Sequence, residues 1–115
     1  MEKETLVGNI EERWQMLCTE LEETFGKKPD LNAVLMLIGI RELGTAQNSF
    51  TKEQKIDLMH IAVCSVLAPS GYYRLQGKDK DGWPHWEQIT KPPFLGLQSQ
   101  EEFLKYHVIE YFAAL

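Results

Sequence analysis

The chain has 115 residues, 43% of them hydrophobic, and a formal net charge of -5. That length suits one domain, residues 1–115, with a packed interior and no second core. No basic-then-apolar start marks a leader, and the longest apolar run, AVLMLIGI at 33–40, is short of the roughly 20 residues that cross a bilayer. Two cysteines, Cys18 and Cys64, are too few for a disulfide framework. Both fall among apolar residues of predicted helices, so they read as reduced, buried thiols in a cytoplasmic protein.

The charge is uneven. Residues 1–23 hold seven Glu against Lys3 and Arg13, while the other 92 residues hold ten acids and ten bases. A broad electrostatic grip on nucleic acid is disfavoured, because phosphate contact relies on a basic face. An anionic membrane surface would repel the acidic segment.

A first helix is predicted from Asn9, its N-cap, to Phe25, with Ile10, Trp14, Leu17, Leu21 and Phe25 on one stripe. Gly26 closes it. A second begins at an Asp30 cap and ends before Gly44. Its apolar residues surround the cylinder, so it should lie within protein. Gly39 in its middle costs about 1 kcal/mol relative to Ala, which a close backbone crossing would explain. Thr51 and Gln54 form a capping box that opens a third helix, ending near Leu67. Its main stripe is expected to be Ile56, Met59, Val63, Val66 and Leu67, with Leu58, Ile61 and Ala62 extending apolar character to the other side. Pro69-Ser70-Gly71 stops it.

Tyr72–Gln76 and Trp83–Ile89 are strand-like and aromatic, with GKDKDG between them, which predicts a β-hairpin. Pro84 cannot donate to a central ladder, so the second arm is an edge. Residues 91–97 read as a Pro-stiffened connector that docks through Phe94, Leu95 and Leu97. Ser99 with Glu102 is a further capping box. It opens a fourth helix with Leu104, Val108, Tyr111 and Leu115 along one side. The expected fold is therefore mainly α: a compact four-helix domain, its second and third helices central, with one aromatic hairpin inserted between helices three and four.

Glu53, Asp57, His60 and Cys64 recur at steps of four, three and four on the third helix, which makes a ridge on one face. Two helical ligands do not complete a zinc site without His85, His107 or Cys18 converging on them. Cys64 lies near the helix C-terminus, where the dipole raises thiol pKa. The ridge is expected to be acids facing water, a hydrogen-bonded His60 and a Cys64 that fills the core. Asp79-Lys80-Asp81-Gly82 has a calcium-loop flavour, but Gly77 and Gln88 stand where that motif needs an acid and a Glu.

The hairpin carries more. Arg74, Lys78, Lys80 and Lys91 lie among rings that stack on bases in nucleic-acid binders, but acids leave only +1 over residues 71–91. Tyr, Trp and Arg are also the usual anchors of protein contacts. Period-two geometry sends rings to both hairpin faces while a helical platform covers one. Trp83 and Tyr73, or else Tyr72 and Trp86, are expected to stay available.

NAVLMLIGIRELG, FTKEQKIDLMHIAV and GYYRLQGKDKDGWPHWEQ together resemble a group of small bacterial proteins without assigned activity, over about residues 30–112. The resemblance implies a bacterial cytoplasmic protein with a single compact domain, and it transfers no site residues.

The function expected is a noncatalytic protein-interaction module, a homodimer being one form of it. Its binding residues are Tyr72, Tyr73, Arg74, Trp83, His85 and Trp86, and it has no cofactor or catalytic residue. The alternative is a small metal-dependent or thiol enzyme centred on His60 and Cys64. A winged-helix-like nucleic-acid binder is third.

Overall fold

The computed structural model describes residues 10–45, 47, 49–93 and 96–115, and for 97–99 the backbone alone. The described residues form four α-helices, α1 (Ile10–Phe25), α2 (Leu31–Leu43), α3 (Lys52–Leu67) and α4 (Leu97–Ala113). An antiparallel hairpin of β1 (Tyr73–Lys78) and β2 (Pro84–Gln88) stands between α3 and α4, as expected. Asn9, Phe94 and Leu95, and the side chain of Leu97, lie outside the described residues. The chain divides into two units, one of residues 1–31 with 94–115 and one of residues 32–93.

In the first unit α1 and α4 pack side by side. Lys105 Nζ sits 3.1 Å from Glu11, and Arg13 sits 3.0 Å from Glu110. The contacts advance together along both helices, so the two run in the same direction. Trp14 and Cys18 are buried on α1, between half-buried Ile10, Leu17 and Leu21. The Cys18 thiol donates to the Pro29 carbonyl at 3.4 Å. On α4 the expected stripe holds for Leu104 and Val108, whereas Leu115 lies beyond the helix end and is exposed.

Lys105 is buried too, which its charge did not announce. Its Nζ lies over the Trp14 ring, 5.4 Å from the ring centre, and meets Glu101 and Glu11, each at 3.1 Å. A long side chain covers apolar surface in this way while its head stays paired. The start of α4 also differs from expectation. The helix begins at Leu97 with Gly96 as N-cap, so Ser99 lies inside the first turn rather than capping it.

In the second unit α2 is covered on nearly every side, with Val34, Leu35, Ile38, Gly39 and Leu43 fully buried. Gly39 marks the close crossing its position implied. A Cβ there would collide with the Leu58 carbonyl oxygen and stand 2.9 Å from the carbonyl carbon. α3 starts on a complete capping box, Thr51 Oγ1 accepting from the Gln54 N–H and Gln54 Oε1 accepting from the Thr51 N–H. Such a cap contributes about 1 kcal/mol.

The buried face of α3 keeps Val66 and Leu67 of the expected stripe, with Met59 and Val63 half-buried, but is otherwise turned toward the side taken as subsidiary. Leu58, Ile61, Ala62 and Ser65 are buried, while Ile56, placed on the main stripe, is 62% exposed. A helix apolar on most of its circumference has no single stripe to read, and the Gly39 crossing decides which side faces inward.

After α3 a 3-10 turn, Ala68–Ser70, and Gly71 at φ 88° reverse the chain. The Tyr72 carbonyl then accepts the Ile89 N–H at 2.8 Å and the Thr90 N–H at 3.3 Å, which closes the hairpin base on the end of α3. No helix among the described residues is long and apolar enough to cross a membrane.

Candidate functional site

The hairpin tip is organised by Asp79. Its backbone N–H donates to the Trp83 carbonyl at 2.9 Å, and its own carbonyl accepts from Gly82 at 3.0 Å. Gly82 takes φ 87°, the left-handed conformation that a three-residue hairpin loop places before its second strand. Asp79 Oδ1 accepts the N–H groups of Asp81 and Trp83 at 2.9 and 3.0 Å, and Oδ2 lies 3.0 Å from His85 Nε2. These bonds, that with His85 foremost, hold the Asp79 carboxyl below the usual range. The charged tip is thus a self-satisfied turn, in agreement with the mismatch to a calcium loop.

Below the tip the pairing slips. Lys78 opposes Pro84 and Gly77 opposes His85, but Leu75 opposes Trp86 and Tyr73 opposes Gln88. Gln76 is the extra residue of a β-bulge. Continued without it, the tip register would oppose Leu75 to Glu87 and set Tyr73 on the face of Trp83. The bulge shifts the ladder by one and sets Tyr73 with Trp86 instead, since a one-residue slip exchanges faces. The groupings of Trp83 with Tyr73 and of Tyr72 with Trp86 are therefore corrected.

The Tyr73 and Trp86 face turns toward α3. Tyr73 meets His60 edge to face, with ring centres 6.3 Å apart. Trp83 meets Phe50 in the same way at 6.5 Å. All four rings, Tyr72, Tyr73, Trp83 and Trp86, are half-buried, none sealed and none bare. Arg74 is on the opposite face, ion-paired with Glu87 directly across the ladder. Both strands are edges, because the sheet has two strands.

Between α3 and the hairpin lies a cleft of about 420 Å³. α3 contributes Gln54, Asp57, His60 and Ile61 to it, and the hairpin contributes Asp79 and the run Trp83–Trp86. Trp83, His85 and Trp86 of the expected binding residues thus meet in one concavity, while Tyr72, Tyr73 and Arg74 do not line it. Asp57, His60 and Gln54 complete it from the helix. The spacing of Asp57 and His60 had placed those two on one ridge with Glu53 and Cys64, but nothing in the sequence said that the hairpin folds back onto that ridge.

The ridge itself matches its expected reading: Glu53, Asp57 and His60 are exposed and Cys64 is buried, with Sγ 3.5 Å from His60 Nε2. Burial pushes the Cys64 thiol up to about 12. It is thus protonated at neutral pH and a poor nucleophile. Among the described residues no three His, Cys, Asp or Glu side chains converge as metal ligands.

Iodoacetamide at neutral pH is expected to leave Cys64 unlabelled in the folded chain and to label it on denaturation, read by intact mass. Because the folded-state thiol titrates above its ordinary value of 9.0, its contribution to stability is complete below that value. That contribution drains away as pH rises toward about 12. Fast labelling of Cys64 in the native chain would contradict this burial.

Comparison with known proteins returns no matching family, no similar curated protein and no similar solved structure.

Proposed function

We propose that the chain is a noncatalytic interaction module that meets a protein partner, or a second copy of itself, through the hairpin aromatics and the cleft beside them. The observation that carries this reading is the partial cover of the rings. Trp83 and Trp86 line a concave site and each keeps part of its surface exposed, although the Trp86 indole N–H is itself buried without a hydrogen-bond partner. Apolar surface continues along the hairpin at Leu75 (47% exposed) and Ile89 (50% exposed). Half-covered indoles in a concavity are the usual anchors of protein contacts, because they bury large area at little entropic cost. His85 supplies a polar rim group.

The alternative enzyme at His60 and Cys64 loses support at its nucleophile, whose thiol is held protonated by burial. Among the described residues no Lys or Arg lines the cleft, so the site lacks the basic face that phosphate contact relies on. We place the module in a reducing compartment, where its two buried thiols stay free.

Trp83→Ala and Trp86→Ala test the reading. Each is expected to weaken self-association or partner binding about thirtyfold, the effect of losing an aromatic anchor of about 2 kcal/mol. Light scattering over a concentration series reads the first, and affinity for a captured partner the second. A chain that stays monomeric, with a pull-down profile indifferent to both substitutions, ends the proposal.

A further inference from the structure

We propose that the cleft between α3 and the hairpin seats a cationic side chain, arginine or lysine, of a protein partner, between the Trp83 and Trp86 indoles and against the Asp57 carboxylate. The inference rests on the interaction reading above and names the chemistry of what the site takes.

Among the described residues the lining contains two carboxylates, Asp57 and Asp79, and no Lys or Arg. These two acids are not equivalent. Asp79 spends its oxygens on Asp81, Trp83 and His85. Asp57 has no hydrogen-bond or ion-pair partner among the described residues, although Gln54 and His60 lie within a turn of it on α3. One unpaired carboxylate therefore faces a concavity that holds two indoles, beside the His60 and His85 imidazoles, Gln54, Ile61 and Pro84.

Three kinds of anchor compete for such a site. An acidic anchor meets two carboxylates, one of them already held by His85, and no Lys or Arg among the described residues. An apolar anchor fills the space but strips water from Asp57 without replacing it, and an unpaired buried charge is costly. A cationic anchor is attracted both by the carboxylate and by the negative faces of the indoles. Guanidinium suits it further, because its flat fork stacks on a ring while donating to a carboxylate. Among the hairpin's cations, Arg74 is held by Glu87 on the far face, and neither Lys78 nor Lys80 lines the cleft.

The test uses the full 15N-labelled chain at mildly alkaline pH, where imidazoles in general are uncharged. Three end-blocked Gly-Xaa-Gly peptides, with Xaa arginine, norleucine or glutamate, are titrated to millimolar concentration. The arginine peptide is expected to shift the Trp83 and Trp86 indole signals and the amides around Asp57, and to leave the Trp14 indole in place. Its affinity should exceed that of the norleucine peptide about tenfold, the gain of a partly desolvated cation-π contact with a carboxylate beside it. The glutamate peptide should give no shifts.

Asp57→Asn should bring the arginine peptide down to the norleucine level with the thermal midpoint unchanged, since Asp57 is exposed and unpaired. Equal affinities for arginine and norleucine, indifference to Asp57→Asn, or an absence of shifts from the arginine peptide overturns the inference. Equal binding of both peptides that Trp86→Ala abolishes would reject the cation and leave the aromatic contact surface standing. The interaction reading fails on its own test, when the Trp substitutions leave association unaltered.

Discussion

Gly39→Ala is expected to destabilise the chain by about 2–3 kcal/mol, a sign opposite to the usual effect of this change inside a helix. Helix propensity alone favours Ala by about 1 kcal/mol. Here the added methyl meets the Leu58 carbonyl group, its carbon 2.9 Å away, with the Leu58 Cβ at 3.1 Å. The obstacle is backbone in the middle of α3, which cannot swing aside as a side chain can. The helices must separate, and forced overpacking of this kind costs 1–3 kcal/mol or more. Chemical denaturation followed by circular dichroism reads the result. A midpoint equal to or above that of the natural chain would mean that α2 and α3 do not cross at this glycine.

The second large effect is a contrast on one helix. Leu58→Ala should cost about 3 kcal/mol, because Leu58 has no exposed surface and its removal leaves a cavity beside α2. Ile56→Ala, two residues away, should cost less than about 0.5 kcal/mol, as surface substitutions do. The pair asks which side of α3 is buried. Sequence periodicity ranked Ile56 with the main stripe and Leu58 with the subsidiary side, and the fold reverses that order. Equal losses from the two substitutions would restore the periodic reading. Because Asp57 and His60 lie on the exposed side next to Ile56, the same orientation delivers them to the cleft.

Much of the scaffold was legible because its signals are local. The Thr51 and Gln54 capping box opened α3 where it was expected, and Pro69 with Gly71 ended it. Gly82 placed the hairpin loop, and Gly39 announced a close contact before its partner was known. Ser99 misled by the same local logic. A Ser followed three residues later by Glu reads as a cap, yet nothing prevents the helix from starting earlier at Gly96. Lys105 was missed because a charged residue gives no sign of burial until Glu11, Glu101 and Trp14 surround it.

The candidate site was legible only in its ingredients. Composition along the chain set out a hairpin crowded with aromatics and a helix ridge of acid, imidazole and thiol, since residue type and spacing are one-dimensional properties. Which rings share a face was decided by one unpaired residue, Gln76, whose bulge moves the ladder by a single step. The bulge adjoins Gly77, which takes φ 141°, and a glycine inside a strand marks such a site without saying which rings it will bring together. The meeting of Trp83 and Trp86 with Asp57 likewise came from the reversal at Gly71, which lays the hairpin back on α3. Local chemistry chose the elements, and long-range packing chose their sides, because burial depends on neighbours that are distant in the chain.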